Sequence, residues 1–414
     1  MKLYSGNENY KLYHGNMLDL LDVIGPESVD SIVTDPPYEL NFMNKGWDNS
    51  GVAFQKETWS KCFTVLKRGG YLLAFGGSRT YHRIACAIED AGFEIRDTIM
   101  WLYGSGMPKS MNIGKAVESK LVNGSANPAD FKNLEGEKAA SGNWGLNKAN
   151  MEQGARPTDY SADKHLRTVK VDYQTEEGKK WDGWGTCLKP AYEPIIVARK
   201  PCEGTTTDNI LKYGVGGFNI DECRIGNEER SYKGMSSHKP ENAGCFRDDN
   251  WQPKDIEVTV NGRFPANVIL TYDDTDFEEV CNGFPGEENC AARYFYCAKA
   301  SRRDRDEGLG KKHSTHPTVK PTELMQYLIR LVTPNNGIVL DPFNGSGSTG
   351  KAVMWENKER MKGYRYIGIE LTEEYLPISK ARIEYVSGAE TNLEETFEIQ
   401  SAASSKQMNI FDLL

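Results

Sequence analysis

Two short stretches of this 414-residue chain carry residue types that could do chemistry. The first is Asp35-Pro36-Pro37-Tyr38, directly after the apolar run from Val29 to Val33. Each proline fixes φ and withholds an N–H, so the pair ends a strand and stiffens the loop after it. A carboxylate is thereby set on a rigid loop beside a flat aromatic ring. Taken alone, Asp35 would also serve as a cap or turn residue. The second stretch, GIVLDPFNGSGSTGKAV (residues 337–353), reads as a strand, a glycine loop and the start of a helix. Such a loop turns backbone N–H groups and a helix N-terminus toward a ligand.

Three ligand classes use that arrangement. For a nucleoside triphosphate, the run from Gly345 to Lys351 fits GxxxxGK. The next residue should be Ser or Thr to hold magnesium, and here it is Ala352, so the match fails at the metal ligand. For a dinucleotide, Gly345, Gly347 and Gly350 satisfy GxGxxG, and Glu370 follows at the end of the next apolar run, where an acid could bind ribose hydroxyls. No hydride-transfer site stands out. S-adenosyl-L-methionine has no phosphate but carries a ribose diol and a zwitterionic tail. Asp341 at the strand tip, the three glycines, Glu370 and a packing ring from Phe343 suit it equally. On these residues alone the second and third ligands both remain open.

The two stretches together resemble the amino-methyltransferases of DNA, which methylate the exocyclic nitrogen of adenine or cytosine with S-adenosyl-L-methionine. Asp35-Pro36-Pro37-Tyr38 matches their catalytic (D/N/S)PP(Y/F/W) motif in full, and Asp341 to Gly350 matches their DPF.GSGTT cofactor motif closely. HPTVKP, with His316 and Lys320, is similar to the motif that precedes the cofactor loop in one subclass. The catalytic motif comes first and the cofactor motif last, the permuted order of the β subclass. The resemblance covers roughly residues 10–102, 188–200 and 313–385. The tracts LKPAYEPIIVARKP and RYFYCAKASRR are similar to a phage- and mobile-element-associated branch.

The resemblance implies a Rossmann-like, circularly permuted α/β methyltransferase fold with a mostly parallel seven-stranded sheet and polar target-recognition insertions. It implies roles as well. Asp35 and the Pro36 carbonyl would accept the two amine hydrogens, with Pro37 stiffening the loop and Tyr38 stacking on a flipped base. Trp101 is a weaker candidate for the base's other side, and a core aromatic suits it as well. Asp341, Phe343, Gly345, Gly347, Gly350, Glu370, His316 and Lys320 would line the cofactor, and Asp19 would approach its adenine. DPPY points to N6 of adenine. N4 of cytosine is the alternative, and a protein glutamine methyltransferase or an inactive DNA- or cofactor-binding module are rivals.

The elements that must position these residues follow from periodicity. Strands are expected at 10–14, 29–34, 70–76, 93–102, 193–199, 338–340 and 366–370, with helices between them. They would be the third to seventh strands of the sheet, then its first and second. The domain reading is 1–103 for the catalytic half, 104–187 an insertion, 188–201 a returning strand, 202–312 a target-recognition region, 313–386 the cofactor half, and 387–414 a tail. A helix over PTELMQYLIRLV would take Thr322 as its N-cap.

Nine cysteines include no CxxC pair. Cys223, Cys245, Cys281, Cys290 and Cys297, with His238, match no zinc module by spacing, so buried thiols and no metal are expected. Net charge is −9, which does not by itself invite nucleic acid. A local basic tract from Ala298 to His316, including Arg302, Arg303, Lys311 and Lys312, is the candidate contact to double-stranded DNA. No apolar run reaches membrane length and the N-terminus is not a signal peptide, which favours the cytoplasm of a bacterial or phage-infected cell. The ending QMNIFDLL resembles a sliding-clamp-binding peptide through Gln407, Ile410 and Phe411. The oligomeric state stays open, a homodimer included.

Overall fold

The computed structural model describes residues 2–40, 46–103, 110–125, 173–235, 255–271, 295–297, 299–310 and 312–386. The chain divides into two compact units, one of Met1–Gly104 with Tyr192–Leu414, the other Ser105–Ala191.

The first unit is built on a ten-stranded sheet. Its strands are β1 (Lys2–Gly6), β2 (Tyr10–His14), β3 (Val29–Thr34), β4 (Leu66–Phe75), β5 (Glu94–Tyr103), β6 (Tyr192–Arg199), β9 (Val268–Thr271), β10 (Phe295–Tyr296), β11 (Ile338–Asp341) and β12 (Arg365–Glu370). Strands β7 (Ile225–Met235) and β8 (Asp255–Arg263) pair as a separate antiparallel ribbon. The order across the large sheet is β1-β2-β12-β11-β3-β4-β6-β5-β9-β10. The seven expected strands lie together in it, and the last two in the chain, β11 and β12, sit between β3 and β2. All pair in parallel except β6, which runs antiparallel to β4 and β5.

Three further strands widen the sheet beyond seven. β1 closes one edge antiparallel to β2, and β9 and β10 extend the other beyond β5. The last two come from the tract expected to lie outside the scaffold. Their apolar islands explain the difference, because Ile269 and Cys297 are fully buried, and an uncovered β5 would leave a row of unpaired backbone groups.

Alternation along the central strands supplies both faces of the sheet. Ile32, Leu72, Ala74, Leu340 and Ile369 face one core, with Trp59 and Cys62 from the helix Lys56–Val65 and Ile84 and Ile88 from the helix Tyr81–Asp90. Val33, Leu73, Phe75, Val339 and Tyr366 face the other. They pack there with Leu324, Leu328 and Ile329 from the helix Thr322–Val332 and Val353 from the helix Ser348–Arg360. Those two helices are also joined by a buried bidentate pair, Arg330 Nη2 to Glu356 Oε1 at 2.7 Å and Arg330 Nε to Glu356 Oε2 at 3.1 Å.

The helix Thr322–Val332 starts differently from expectation. Pro321 holds the N-cap position, and the capping carboxylate comes from Asp304, which accepts from Thr322 N at 3.0 Å and from its hydroxyl at 2.5 Å. A proline side chain cannot accept the orphan N–H groups of the first turn, so a distant acid does.

In the second unit, Asn112 caps the helix Ile113–Asn123 by accepting from Lys115 N, and the buried Glu118 carboxylate accepts from Gln174 N at 2.6 Å and Thr175 N at 3.2 Å.

Gly350 tests the packing of the helix Ser348–Arg360 against the sheet. A Cβ there would lie 2.6 Å from Tyr366 Cε1 and 2.7 Å from Ile383 Cδ1. Helix propensity favours Ala by about 1 kcal/mol, but displacing a fully buried ring costs more. Gly350→Ala is therefore expected to lose about 1–3 kcal/mol net, seen as a lowered denaturant midpoint. An unchanged or raised midpoint would refute the close approach.

Candidate active site

The two motif loops meet because β3 and β11 are parallel neighbours, with Val339 beside Ser31 and Leu340 beside Ile32. Both strands therefore end at the same edge. Asp341, buried at the tip of β11, accepts from Thr34 Oγ1 and Thr349 Oγ1, each at 2.6 Å, and from Phe343 N at 3.1 Å. Burial pushes its carboxyl up to about 6, against the pull of these donors. Asp341 thus ties β3, the strand–loop corner and the first turn of the following helix together.

Glu370 ends the next strand over. Its Oε2 accepts from Gly345 N at 2.6 Å and its Oε1 from Thr372 N at 2.7 Å. Burial raises this carboxyl to about 7. Gly345 and Gly347 adopt φ of 51° and 74°, and a Cβ on Gly347 would lie 2.5 Å from Ser379 Oγ. The loop is held from below by Arg382, fully buried, whose Nη1 donates to Ser346 O at 2.8 Å. The backbone donors leave acceptor capacity on Glu370, which the Thr372 hydroxyl shares. Such a carboxylate, beside a glycine loop, fits a vicinal ribose diol and hence the expected methyl donor.

The remaining cofactor candidates are placed as follows. Phe343 is half-buried with its ring 6.4 Å from that of Trp59. His316 is buried, with its ring edge-on to Tyr375 at 4.4 Å, and a Cβ on Gly345 would lie 3.0 Å from its Nε2. Burial, with the nearby Arg382, Lys320 and Arg305, drives its imidazole down to about 3, so it is neutral. Asp19 is exposed in the first turn of the helix Met17–Leu21. The residues at the tip of β2 are Gly15, whose N donates to Glu370 O at 3.0 Å, and Asn16, the cap of that helix.

Around Asp35 the structure brings together residues from four separate parts of the chain: the Asp35–Tyr38 loop, Tyr103, Glu193 and Lys320. Asp35 Oδ2 accepts from Lys320 Nζ at 2.6 Å. Lys320 Nζ also lies 3.1 Å from Tyr38 Oη and 3.3 Å from Glu193 Oε2. Tyr38 donates its hydroxyl to Glu193 Oε2 at 2.8 Å, and Tyr103 donates to Glu193 Oε1 at 3.3 Å. Asp35 Oδ1 is shielded and has no hydrogen-bond partner among the described residues. Burial lifts the Asp35 carboxyl above its ordinary range, with the Lys320 ammonium opposing, while the two carboxylates hold Lys320 charged despite its burial. The loop beyond is fixed as well. Thr80 Oγ1 donates to Tyr38 O at 2.8 Å, and the buried Asp48 carboxylate accepts from Glu39 N at 2.9 Å and Leu40 N at 3.2 Å.

Lys320, expected on the cofactor side, reaches the Asp35 carboxylate. Glu193 and Tyr103 were not anticipated as site residues. The signal for Glu193 is an acid at the start of an otherwise apolar strand. Because β6 is antiparallel, its start lies at the edge where the parallel strands end. Trp101 is 4 % exposed and spends its indole N–H on Thr271 Oγ1 at 2.6 Å, so it is a core residue.

Of the basic tract, Arg302 and Arg303 are exposed on the short helix Arg302–Asp306, each beside an acid: Arg303 Nε lies 3.2 Å from Glu307 Oε1, and Arg302 Nε lies 3.9 Å from Asp306 Oδ2. Lys312 is exposed. Lys311 lies outside the described residues, as do Cys245, Cys281, Cys290 and His238 of the weighed metal set and Gln407, Ile410 and Phe411 of the tail peptide. Cys223 and Cys297 are buried and form no disulfide among the described residues.

Comparison with known proteins gives this site a family. A family model described as DNA methylase matches residues 29–381. The DNA adenine methyltransferase YhdJ of Escherichia coli (strain K12) is 34% identical over 387 residues, covering 92% of this chain and 85% of that protein. The type II methyltransferase M2.LlaDCHI of Lactococcus lactis subsp. cremoris is 26% identical over 261 residues, covering 58% of this chain and 88% of its own. The type II methyltransferase M.HindIII of Haemophilus influenzae (strain ATCC 51907 / DSM 11121 / KW20 / Rd) is 23% identical over 297 residues, and the chain spans 58% of its length. With its two motif loops on adjacent strand tips and the model match running through both, the chain belongs to the amino-methyltransferase family of DNA methylases.

Proposed function

We propose that the protein methylates the exocyclic N6 of adenine in double-stranded DNA, acting on a base turned out of the helix. The observation that carries this reading is Asp35. Its carboxylate is tied at Oδ2 and shielded but unpartnered at Oδ1. A buried acceptor without a donor costs about 1–3 kcal/mol, a cost that makes sense where a substrate hydrogen completes the site. The relative YhdJ, similar over 92% of this chain, is named for adenine methylation, which supports that base over cytosine.

S-adenosyl-L-methionine, when bound, supplies an electrophilic methyl group on a cationic sulfur. The task of the chain is to make a poor nucleophile attack it. An exocyclic amine has its lone pair delocalised into the ring. Asp35 Oδ1 would accept one N–H and the Pro36 carbonyl the other, localising the lone pair toward the donor side. Tyr38, anchored by its hydroxyl, presents a flat face for stacking. Inside a duplex the amine is out of reach, so the base must be extruded. Arg302, Arg303, Lys311 and Lys312 remain the proposed phosphate contacts. Acidic neighbours temper the first two, and DNA binding that weakens little with added salt would count against this tract as a phosphate contact.

Nucleoside mass spectrometry of unmethylated genomic DNA treated with protein and S-adenosyl-L-methionine tests the reading. N6-methyladenine is expected with the native chain. Asp35→Ala should lower its formation by at least about 10²-fold while cofactor binding persists. N4-methylcytosine would keep the mechanism and change the base, and an active Asp35→Ala would sink the mechanism.

Cofactor affinity should also depend on pH. Glu370 must be ionised to accept two hydroxyls, and burial places its carboxyl at about 7. Affinity is therefore expected to rise as pH increases through about 7, and Glu370→Gln should flatten that dependence in calorimetric titrations from acid to alkaline pH. The same slope in native and variant proteins would remove Glu370 from the role.

A further inference from the structure

We propose that Lys320 and Glu193 are positioning residues for the transfer site: one ammonium, shared between two carboxylates, fixes Asp35 with Oδ1 free and locks the ring of Tyr38. The proposal deepens the reading above and rests on it.

The ammonium hydrogen-bonds to Asp35 Oδ2 at 2.6 Å and Tyr38 Oη at 3.1 Å, and is ion-paired with Glu193 Oε2 at 3.3 Å. The side chain is 9 % exposed, so water does not compete for them. Tyr38 accepts from Lys320 and donates to Glu193, which pins the ring at its far end. The ammonium also lies 5.2 Å from the centroid of Tyr38 and 4.9 Å from that of Phe75, within cation–π range. Among the described residues the hydrogen bond to Asp35 Oδ2 comes from Lys320, and Oδ1 is buried without one.

The lysine also connects the two halves of the site. Its own carbonyl accepts from Ser348 Oγ at 2.9 Å, in the first turn after the glycine loop. The main chain of Lys320 is therefore pinned to the cofactor loop while its side chain is pinned to the catalytic carboxylate. Glu193 has a separate duty. Without it, Lys320 would have a single carboxylate partner, and the hydroxyls of Tyr38 and Tyr103 would lose their acceptor.

The charged and titratable groups facing Asp35 are Lys320 from the segment ahead of the helix Thr322–Val332, Glu193 from β6, Tyr38 from its own loop and Asp341 from β11, with Tyr103 of β5 behind Glu193. Removing the ammonium leaves Asp35 facing only acids and phenols, and proton uptake becomes easier. Removing the Glu193 charge does the reverse. The two changes should move Asp35 in opposite directions, which a purely structural role would not produce.

The test uses the full chain with Lys320→Met, Lys320→Arg and Glu193→Gln, each checked by thermal melting. Lys320→Met is expected to lower kcat on the order of 10²-fold, with S-adenosyl-L-methionine Kd changed less than about threefold and the acid limb of the kcat profile moved to higher pH. Lys320→Arg should bring the limb back toward its native position without restoring the full rate. Glu193→Gln should move the limb to lower pH. The Asp35 carboxyl, followed by carbon NMR with Asp35→Asn for assignment, should shift in the same two directions in the absence of turnover. Should Lys320→Met fail to fold, the arginine and Glu193→Gln variants carry the same comparison. The proposal is overturned if the carboxyl titrates alike in native and variant proteins. It is also overturned if Lys320→Met loses cofactor binding while Asp35 titrates as before, which would return the lysine to the cofactor. A native chain that forms no methylated base would instead defeat the proposed function, and the carboxyl titration would still decide the role of the ammonium.

Discussion

The site depends on the pairing of β3 with β11, two strands three hundred residues apart in the chain whose ends carry the two functional loops. Their register brings Asp341 level with the end of β3, where Thr34 donates to it at 2.6 Å. The second hydroxyl on Asp341 comes from Thr349, in the helix that follows the glycine loop. One buried carboxylate therefore sets the separation between the loop bearing Asp35 and the glycine loop. The chemistry needs that separation to be rigid, because two reacting groups must be held within a fraction of an ångström of a productive geometry. A sheet with both faces covered by helices supplies such rigidity, since neither strand can slide without turning apolar side chains away from their core.

Beneath the cofactor loop lies a second polar layer. Lys351 is fully buried, with its ammonium 2.7 Å from Asp304 Oδ1 and 2.8 Å from Glu307 Oε2. Asp304 in turn caps the helix Thr322–Val332, and its carbonyl accepts from Arg382 Nη2 at 3.3 Å. Although burial opposes it, the ammonium of Lys351 holds the Asp304 carboxyl below its ordinary range. Buried pairs of this kind add little stability compared with an apolar core of equal volume, but they tolerate few alternative arrangements. Their effect here is to dock the segment bearing Arg302 and Arg303 against the cofactor half while leaving those two side chains exposed.

Much of this was legible in the chain. Seven strands were readable because alternation and apolar runs bounded by Gly and Pro are local signals, and both motif loops follow such runs. The resemblance then ordered the strands. What escaped reading was non-local. β9 and β10 are short islands in polar surroundings, and only the exposed edge of β5 explains why they are strands. The cap of the helix Thr322–Val332 comes from Asp304, a residue no spacing rule connects to it. Lys320 was readable as a motif member, but the direction of its side chain depends on Glu193 from β6 and Tyr38 from the loop after β3. Glu193 itself could be recognised only once β6 was known to run antiparallel. Asp19 lies near the end of β2, exposed in the first turn of the helix Met17–Leu21.

The electrostatics of the site follow from the same topology. Strand tips converge on one edge, and four of them or their adjoining loops carry acids: Asp35, Asp341, Glu370 and Glu193. Lys320 is the ammonium set among them, and His316 stays neutral. The basin is therefore electronegative, and burial has already raised Asp341 and Glu370 toward neutrality. On the proposed reading, the incoming donor bears a positive charge that disappears when its methyl group leaves. A basin of buried acids favours the sulfonium form over the product, which keeps its zwitterionic tail but no charge at sulfur. Lys320 limits that field at the one place where it would be harmful. Beside Asp35 an unopposed cluster of acids would favour a protonated carboxyl, and a protonated Asp35 could not accept from the amine with the same strength.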